Sequence, residues 1–292
     1  MPDLSNVRSA SQYYQARICL YLRGAAPTQE VTNAKPFYLP GGATWFITGC
    51  PDDIGKALAQ HIGSKPYHRL VATARNPSDI SCLPDNTANI LKITLDVTSP
   101  IAQFGTIDVF INNAGYALSG DTESANEAEW HDVMETNFFG TVRTTTAVLL
   151  HMRHGSRGGL IINISSLLVC WTESVTKEVR QEWGVSFCIV EPSAVETNFE
   201  EHSKNFTAQH PAYADSKMPA RILERYVDAG LKPGAGMKPE DVATVLYETA
   251  SKGEKVPLHL PLSMNAFDLI KEHFESRLKA LEEVKEASGS LS

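Results

Sequence analysis

From residue 44 onward, short apolar runs alternate with amphipathic stretches. TWFIT, RLVATA, ILKITL, IDVFIN, GLIINI and SFCIVE are near-continuous apolar segments of strand length, the pattern of strands buried on both faces. Between most of them lie stretches with helical spacing: IGKALAQHI, EAEWHDVMETNFFGTVRTTTAVLLHMR and WTESVTKEVRQEW. Strand and helix in alternation predict an α/β fold, a doubly wound parallel sheet in one domain over residues 41–292. Near the end, a helix over about 265–286 places Phe267, Ile270, Phe274, Leu278, Leu281 and Val284 on one face, and an apolar face of that kind wants cover. The expected cover is the helix's own domain, with a partner subunit as the alternative.

One connection is short for this scheme. Only DVTSPIAQFGT separates the third apolar run from the fourth, whereas a parallel crossover needs a dozen or more residues, most of them helical. The crossover near 97–106 is therefore expected to be truncated.

Composition narrows the classes. With 34 acidic and 26 basic residues the net charge is −8, which argues against nucleic acid or an anionic membrane as the main partner. No apolar run approaches the roughly 18 residues of a membrane span. The cysteines (Cys19, Cys50, Cys82, Cys170, Cys188) are scattered without a CxxC pair, so reduced thiols and a cytoplasmic location are expected. The nine histidines form no metal-spaced set, and no metal is expected. No G-x-S-x-G elbow is present, which sets a serine hydrolase aside. Residues 1–40 are basic and poor in acid. They are expected to be a disordered extension, with a mitochondrial presequence as the alternative.

Candidate chemistry begins at TGCPDDIGKALAQ, which follows the first strand and opens the first helix. A glycine turn there lets a dinucleotide pyrophosphate approach backbone N–H groups at a helix N-terminus. Gly49 and Gly55 are in place, but Asp53 stands where a third glycine is wanted, implying a strained φ and a carboxylate beside two phosphates. The competing reading is a capped strand-to-helix turn with Asp52 or Asp53 as N-cap.

TGCPDDIG, LDVT at 95–98, NNAG at 112–115, Asn137 in METNFFG, NISS at 163–166 and EPSAVET at 191–197 occur in that order. Together they resemble the short-chain dehydrogenase/reductase family of the classical type, close to fungal and bacterial oxidoreductases akin to retinol and 17β-hydroxysteroid dehydrogenases, over residues 44–285. The resemblance implies a Rossmann fold and hydride transfer between a nicotinamide and a carbonyl or alcohol carbon of a small apolar substrate. Thr48, Gly49, Ile54 and Gly55 would line the pyrophosphate and nicotinamide ribose, and Asp96 and Val97 would contact adenine. Asn113, Ala114 and Gly115 would wall the adenosine ribose, and Val195 and Thr197 would hold the carboxamide. Arg75, at the end of the second strand, would pair with a 2′-phosphate, so the resemblance implies NADP(H) in preference to NAD(H). It also implies a homodimer or homotetramer built partly on the active-site helix; measured against the family pattern, the crossover near 167–172 is truncated as well, which would curtail that helix.

Ser166 and Asn137 match the family's substrate-orienting serine and water-relay asparagine. Its Y-x-x-x-K pair does not follow Ser166: no tyrosine stands between Ser166 and the sixth apolar run, and Lys177 lies past the position of the lysine. Tyr213 and Lys217, in HPAYADSKMPAR, have the right spacing. They fall in the segment that would form the substrate lid, about 198–235, and read as a coincidence, with a substitute dyad as the minor alternative. Two functional readings stand: an NADP(H)-dependent alcohol/carbonyl oxidoreductase, or a nucleotide-binding pseudoenzyme. A splice form or faulty gene model lacking the dyad is the further alternative.

Overall fold

A computed structural model describes residues 33, 35–94, 106–155, 157–164, 169–197, 204–230 and 236–289. Seven strands form one parallel sheet: β1 (Thr44–Ile47), β2 (Arg69–Ala74), β3 (Ile90–Thr94), β4 (Val109–Asn112), β6 (Gly159–Ile164), β7 (Val185–Glu191) and β9 (His259–Pro261). Their spatial order is β3-β2-β1-β4-β6-β7-β9. Two further short strands, β5 (Ala117–Ser119) and β8 (Lys204–Phe206), pair with each other. The six apolar runs became the six long strands. β9 went unread, because three residues ending in proline carry no apolar run.

The sheet is covered on both faces. On one, α1 (Asp53–Gly63) and α6 (Pro239–Ser251) close a core in which Leu58, Ile62, Val242 and Leu246 meet Trp45, Ile47, Leu70 and Ile111. The other face carries Phe46, Phe110, Ile161 and Phe187, all buried. It is overlaid by α2 (Glu127–Met134), a π-helical turn (Glu135–Gly140), α3 (Thr141–His154) and α4 (Val169–Glu178). The capping box of Asn126 and Glu129 starts α2, satisfying otherwise orphaned N–H groups. The remaining helices are α5 (Pro219–Gly230), α7 (Met264–Glu283) and α8 (Lys285–Gly289).

The shortened crossovers fall largely on residues 95–105 and 165–168, outside the described residues. Of the strand that precedes the first of them, β3, Ile90 to Ile93 are half-buried and Thr94 is exposed. The body begins before the expected boundary at 41. Asn33 is buried, and its side-chain amide donates to the carbonyls of Phe187 and Val256 (both 2.7 Å) and accepts from the Phe187 N–H (2.8 Å). Phe37 is buried beside it in the main core. The compact unit accordingly runs from Asn33 to Ser292, and the expected extension is described only from Asn33.

The last helix departs from expectation more plainly. The spacing placed α7 on its own domain, but only its first turn docks: Leu262 and Ala266 are buried, while every residue from Lys271 to Gly289 is exposed. Among the described residues, no helix is long and apolar enough to cross a membrane.

Asn33 fills three backbone bonding needs between β7 and the segment before β9. Replacing it with alanine leaves buried groups unpaired, each worth roughly 1–3 kcal/mol. Asn33→Ala should therefore lower the urea midpoint by the equivalent of about 2–4 kcal/mol at unchanged m-value. An unchanged midpoint would show that Asn33 is no tether.

Candidate active site

Strand order reverses between β1 and β4, and the carboxyl ends of those strands form the crevice where an open α/β sheet takes its ligand. The loops leaving them are knitted together. Thr48 Oγ1 accepts from the N–H groups of Asn113 and Ala114 (both 2.9 Å). The Asn113 amide donates to the carbonyls of Thr48 (3.0 Å) and Gly49 (2.8 Å). The fit is too close for side chains: a Cβ on Gly55 would stand 1.8 Å from the Gly49 carbonyl oxygen, and one on Gly49 would stand 2.9 Å from Ala114 Cα. Gly49 also has φ +70, the left-handed region that glycine enters freely.

This turn delivers the N-terminus of α1 to the crevice. Asp52 occupies its N-cap position but makes no side-chain cap bond, so the capped-turn reading fails for Asp52, and the positive end of α1 stays available to an anion. Asp53 has φ 55, the strained conformation expected of a side chain placed where glycine belongs. Aspartate tolerates that region better than most residues. Cys50, in the same turn, donates to the Ile47 carbonyl (3.3 Å), and burial pushes its thiol up to about 12, so it is a core residue and no nucleophile.

Arg75 directly follows β2 and is exposed. The neighbouring Thr73 carbonyl accepts from the Cys50 N–H (2.9 Å), which puts the guanidinium on the same rim as the glycine turn. Asp96 and Val97 lie outside the described residues. In the loop after β7, Val195 has its side chain in the core. The segment is pinned by Met237 N–H to the Ala194 carbonyl (3.0 Å) and Glu196 N–H to the Met237 carbonyl (2.8 Å). Thr197 follows, its hydroxyl donating to the Val195 carbonyl (3.4 Å). Ser193 is bonded to Ser263 (Oγ to Oγ, 2.7 Å), which also caps α7. Ser193 thus joins the crevice rim to the last helix.

Asn137 sits in the π-helical turn, a distortion common at functional sites. Both ends of its amide are spent on one neighbour: Oδ1 accepts from the Tyr116 N–H (3.0 Å) and Nδ2 donates to the Tyr116 carbonyl (2.7 Å). It therefore positions the chain just after Gly115. Beneath lies a polar network that the sequence reading missed. Asn112 donates to Thr145 Oγ1 (2.9 Å) and Asn163 Oδ1 (2.8 Å), Thr144 donates to Asn112 Oδ1 (2.7 Å), and Asn163 donates to Thr172 Oγ1 (2.9 Å). These buried bonds join β4, β6, α3 and α4. The TTT run in a helical segment was the available signal.

Ser166 lies outside the described residues. The helix after it, α4, contains no tyrosine. Because α4 links two parallel strands, it runs from the crevice rim toward the opposite rim, and Lys177, in its last turn, is carried away from the crevice. Tyr213 ends a short 3-10 turn (Pro211–Tyr213), while Lys217 is exposed and precedes α5. The two do not share a helix face, which an i, i+4 pairing requires.

What the HPAYADSK segment does instead is visible in its anchors. Asp121, whose side chain is fully buried, accepts from the His210 N–H on one oxygen (3.0 Å) and from the Arg221 guanidinium on the other. One carboxylate thus closes both ends of residues 210–221. The Tyr213 ring packs edge-on against His210 (5.7 Å between centroids). β5 and β8 extend the junction, and a Cβ on Gly120 (φ +141) would stand 2.0 Å from Thr207 Oγ1. The described part of the lid is therefore clasped to the wall that follows NNAG. Asp121 and Arg221 were invisible to sequence reasoning, being a hundred positions apart. Among the described residues no cluster suits a metal ion.

Comparison with known proteins agrees with this geometry. A family model described as short chain dehydrogenase matches residues 43–170. Oxidoreductase calM of Penicillium decumbens is 50% identical across 88% of this chain and 95% of its own. A short-chain dehydrogenase structure from Streptomyces avermitilis superposes with TM-score 0.72 at 28% identity, covering 86% of this chain and 100% of that one. A Burkholderia phymatum short-chain dehydrogenase/reductase crystallised with NAD matches at TM-score 0.66 and 18% identity over 82% of this chain and 95% of that one, a likeness of fold alone.

Breaking a buried ion pair from one side costs roughly 3–5 kcal/mol. Asp121→Ala should release the lid, so trypsin cleavage after the exposed Lys217 accelerates about tenfold or more, with Asp121→Asn intermediate because it still accepts from His210. An unchanged cleavage rate would contradict the clasp.

Proposed function

The chain belongs to the short-chain dehydrogenase family, and on that premise we propose that it binds NADP(H) and interconverts an alcohol and a carbonyl on a small apolar substrate. The observation that carries this reading is the glycine cradle, where the Gly55–Gly49–Asn113 contact leaves no space for a side chain and opens the N-terminus of α1 to a pyrophosphate. Bound there, the nicotinamide would supply or accept the hydride. Arg75 would pair with the 2′-phosphate, the backbone at Val195 and Thr197 would hold the carboxamide, and Ser166 would orient the substrate oxygen. Phe206 and Ile222, both exposed on the lid, suit an apolar substrate. A cytoplasmic location suits this reading, because NADP(H) is supplied there and the four described cysteines, all free, would stay reduced.

A second reading is favoured by one observation. No described helix presents a tyrosine–lysine pair to the crevice, and Lys177 lies at the far end of α4. A chain of this kind would bind the nucleotide and hold it without turnover.

Asp53 is the one element of the cradle that opposes the ligand. Two like charges about 4 Å apart repel by about 1 kcal/mol in water and about 4 kcal/mol at an effective dielectric of 20. In a fluorescence titration with NADPH, Asp53→Gly should tighten binding by about one to three decades, and an unchanged or weaker affinity would contradict the assignment. A panel of ketones and aldehydes added to the complex separates the two readings, since turnover supports the oxidoreductase and binding alone the pseudoenzyme. Tyr213→Phe should leave any turnover intact; abolished turnover would move the proton donor to the lid.

A further inference from the structure

We infer that α7 is a dimerisation helix, whose apolar face pairs in parallel with the same helix of a second copy of this chain. The helix leaves the domain after one docked turn, and every described residue from Lys271 onward is exposed. A lone helix of 20 residues is marginal in water unless its apolar face is packed. That face is continuous: Phe267, Ile270, Phe274, Leu278 and Leu281 recur at intervals of three and four, the spacing of a helix–helix seam, and Val284 carries it on at the C-cap. All but the half-buried Ile270 are exposed, Phe274 by 57% and Leu278 and Leu281 by 63% each.

Area and charge both select a second copy. On the scale of large side chains, the uncovered face offers about 500 Å² per copy, toward the upper end of the largest apolar patch a monomer leaves exposed. Two copies together would bury about 1,000 Å², the size at which an interface becomes specific. The two flanks of the seam differ in charge. Asp268, Glu275 and Glu282 lie along one side, net acidic even with Lys271 and Lys285 of α8, which pair with Glu275 (3.9 Å) and Glu282 (3.0 Å) of the same copy. His273 and Arg277 lie along the other. A parallel two-fold pair sets each acidic flank against the opposite flank of its mate and brings Arg277 toward the partner's Glu282. An antiparallel pair would instead set the acidic flanks against each other. A lipid surface fits poorly, because acidic residues outnumber basic ones on α7 and α8 by six to four, the reverse of a membrane-lying helix.

The test is sedimentation of the full chain, with the same substitutions read by cross-linking. The wild type should sediment as an assembly that Phe274→Glu with Leu281→Glu weakens about 100-fold or more. Both positions are exposed, so the thermal midpoint of the domain should barely move. Val284→Cys should form a disulfide between copies on mild oxidation, absent from the wild type and lost on adding Phe274→Glu. A wild type that stays monomeric at about 100 µM would overturn the inference, whether its α7 amides are protected by the rest of the chain or it binds anionic vesicles instead. So would an assembly indifferent to the glutamates. A Val284→Cys chain that links only to Phe267→Cys would overturn the parallel orientation.

Discussion

The structure turns on one close approach. Where the loops after β1 and β4 meet, Gly55 presses against the Gly49 carbonyl, and that carbonyl is held by the Asn113 amide. Nothing larger than hydrogen fits at Gly55, so the backbone itself forms the wall of the crevice. The geometry persists even where the sequence resists it. Asp53 keeps φ 55, a conformation that costs a non-glycine residue roughly 1–3 kcal/mol, because the turn must bring α1 to the crevice along that path. The strain is local and sits where a nucleotide would lie.

Around that contact, support is built from polar groups that would be costly if unpaired. The Asn112–Asn163–Thr172 chain fixes α4 to the sheet, and Asn137 fixes the loop after Gly115 to the π-helical turn. The nucleotide side of the crevice is therefore firmly held. The reacting side is not matched to it: α4 carries no tyrosine, and the direction of its axis takes Lys177 to the other rim. The segment that has the right letters, HPAYADSK, is instead a lid element closed on Asp121. Spacing in a sequence predicts a shared face only if the residues between are helical, and here Pro211 and Pro219 bound a turn.

The sheet was legible because strands buried on both faces must be apolar throughout, a pattern that survives any choice of partner strand. The glycine turn after β1 was legible because glycine is required there for steric reasons. Features formed by distant residues were not. Asn33 looks like any polar residue in an extension until β7 supplies its partners, and Asp121 and Arg221 become a pair only when the lid folds back. The tail shows a subtler limit. Its periodicity correctly predicts an amphipathic helix, but amphipathicity states that a face needs cover and not what provides it. Asp96, Val97 and Ser166 lie outside the described residues.

The central claim is that this chain keeps a nicotinamide-dinucleotide seat at the β1/β4 switch point, while no helix among the described residues sets a tyrosine–lysine pair beside it. Hydrogen exchange of the full chain with and without saturating NADPH tests the seat most directly. Protection should rise at residues 48–56 and 112–116, around the Gly49–Gly55–Asn113 contact. No added protection in those two loops, or protection confined to other parts of the sheet, would contradict the account.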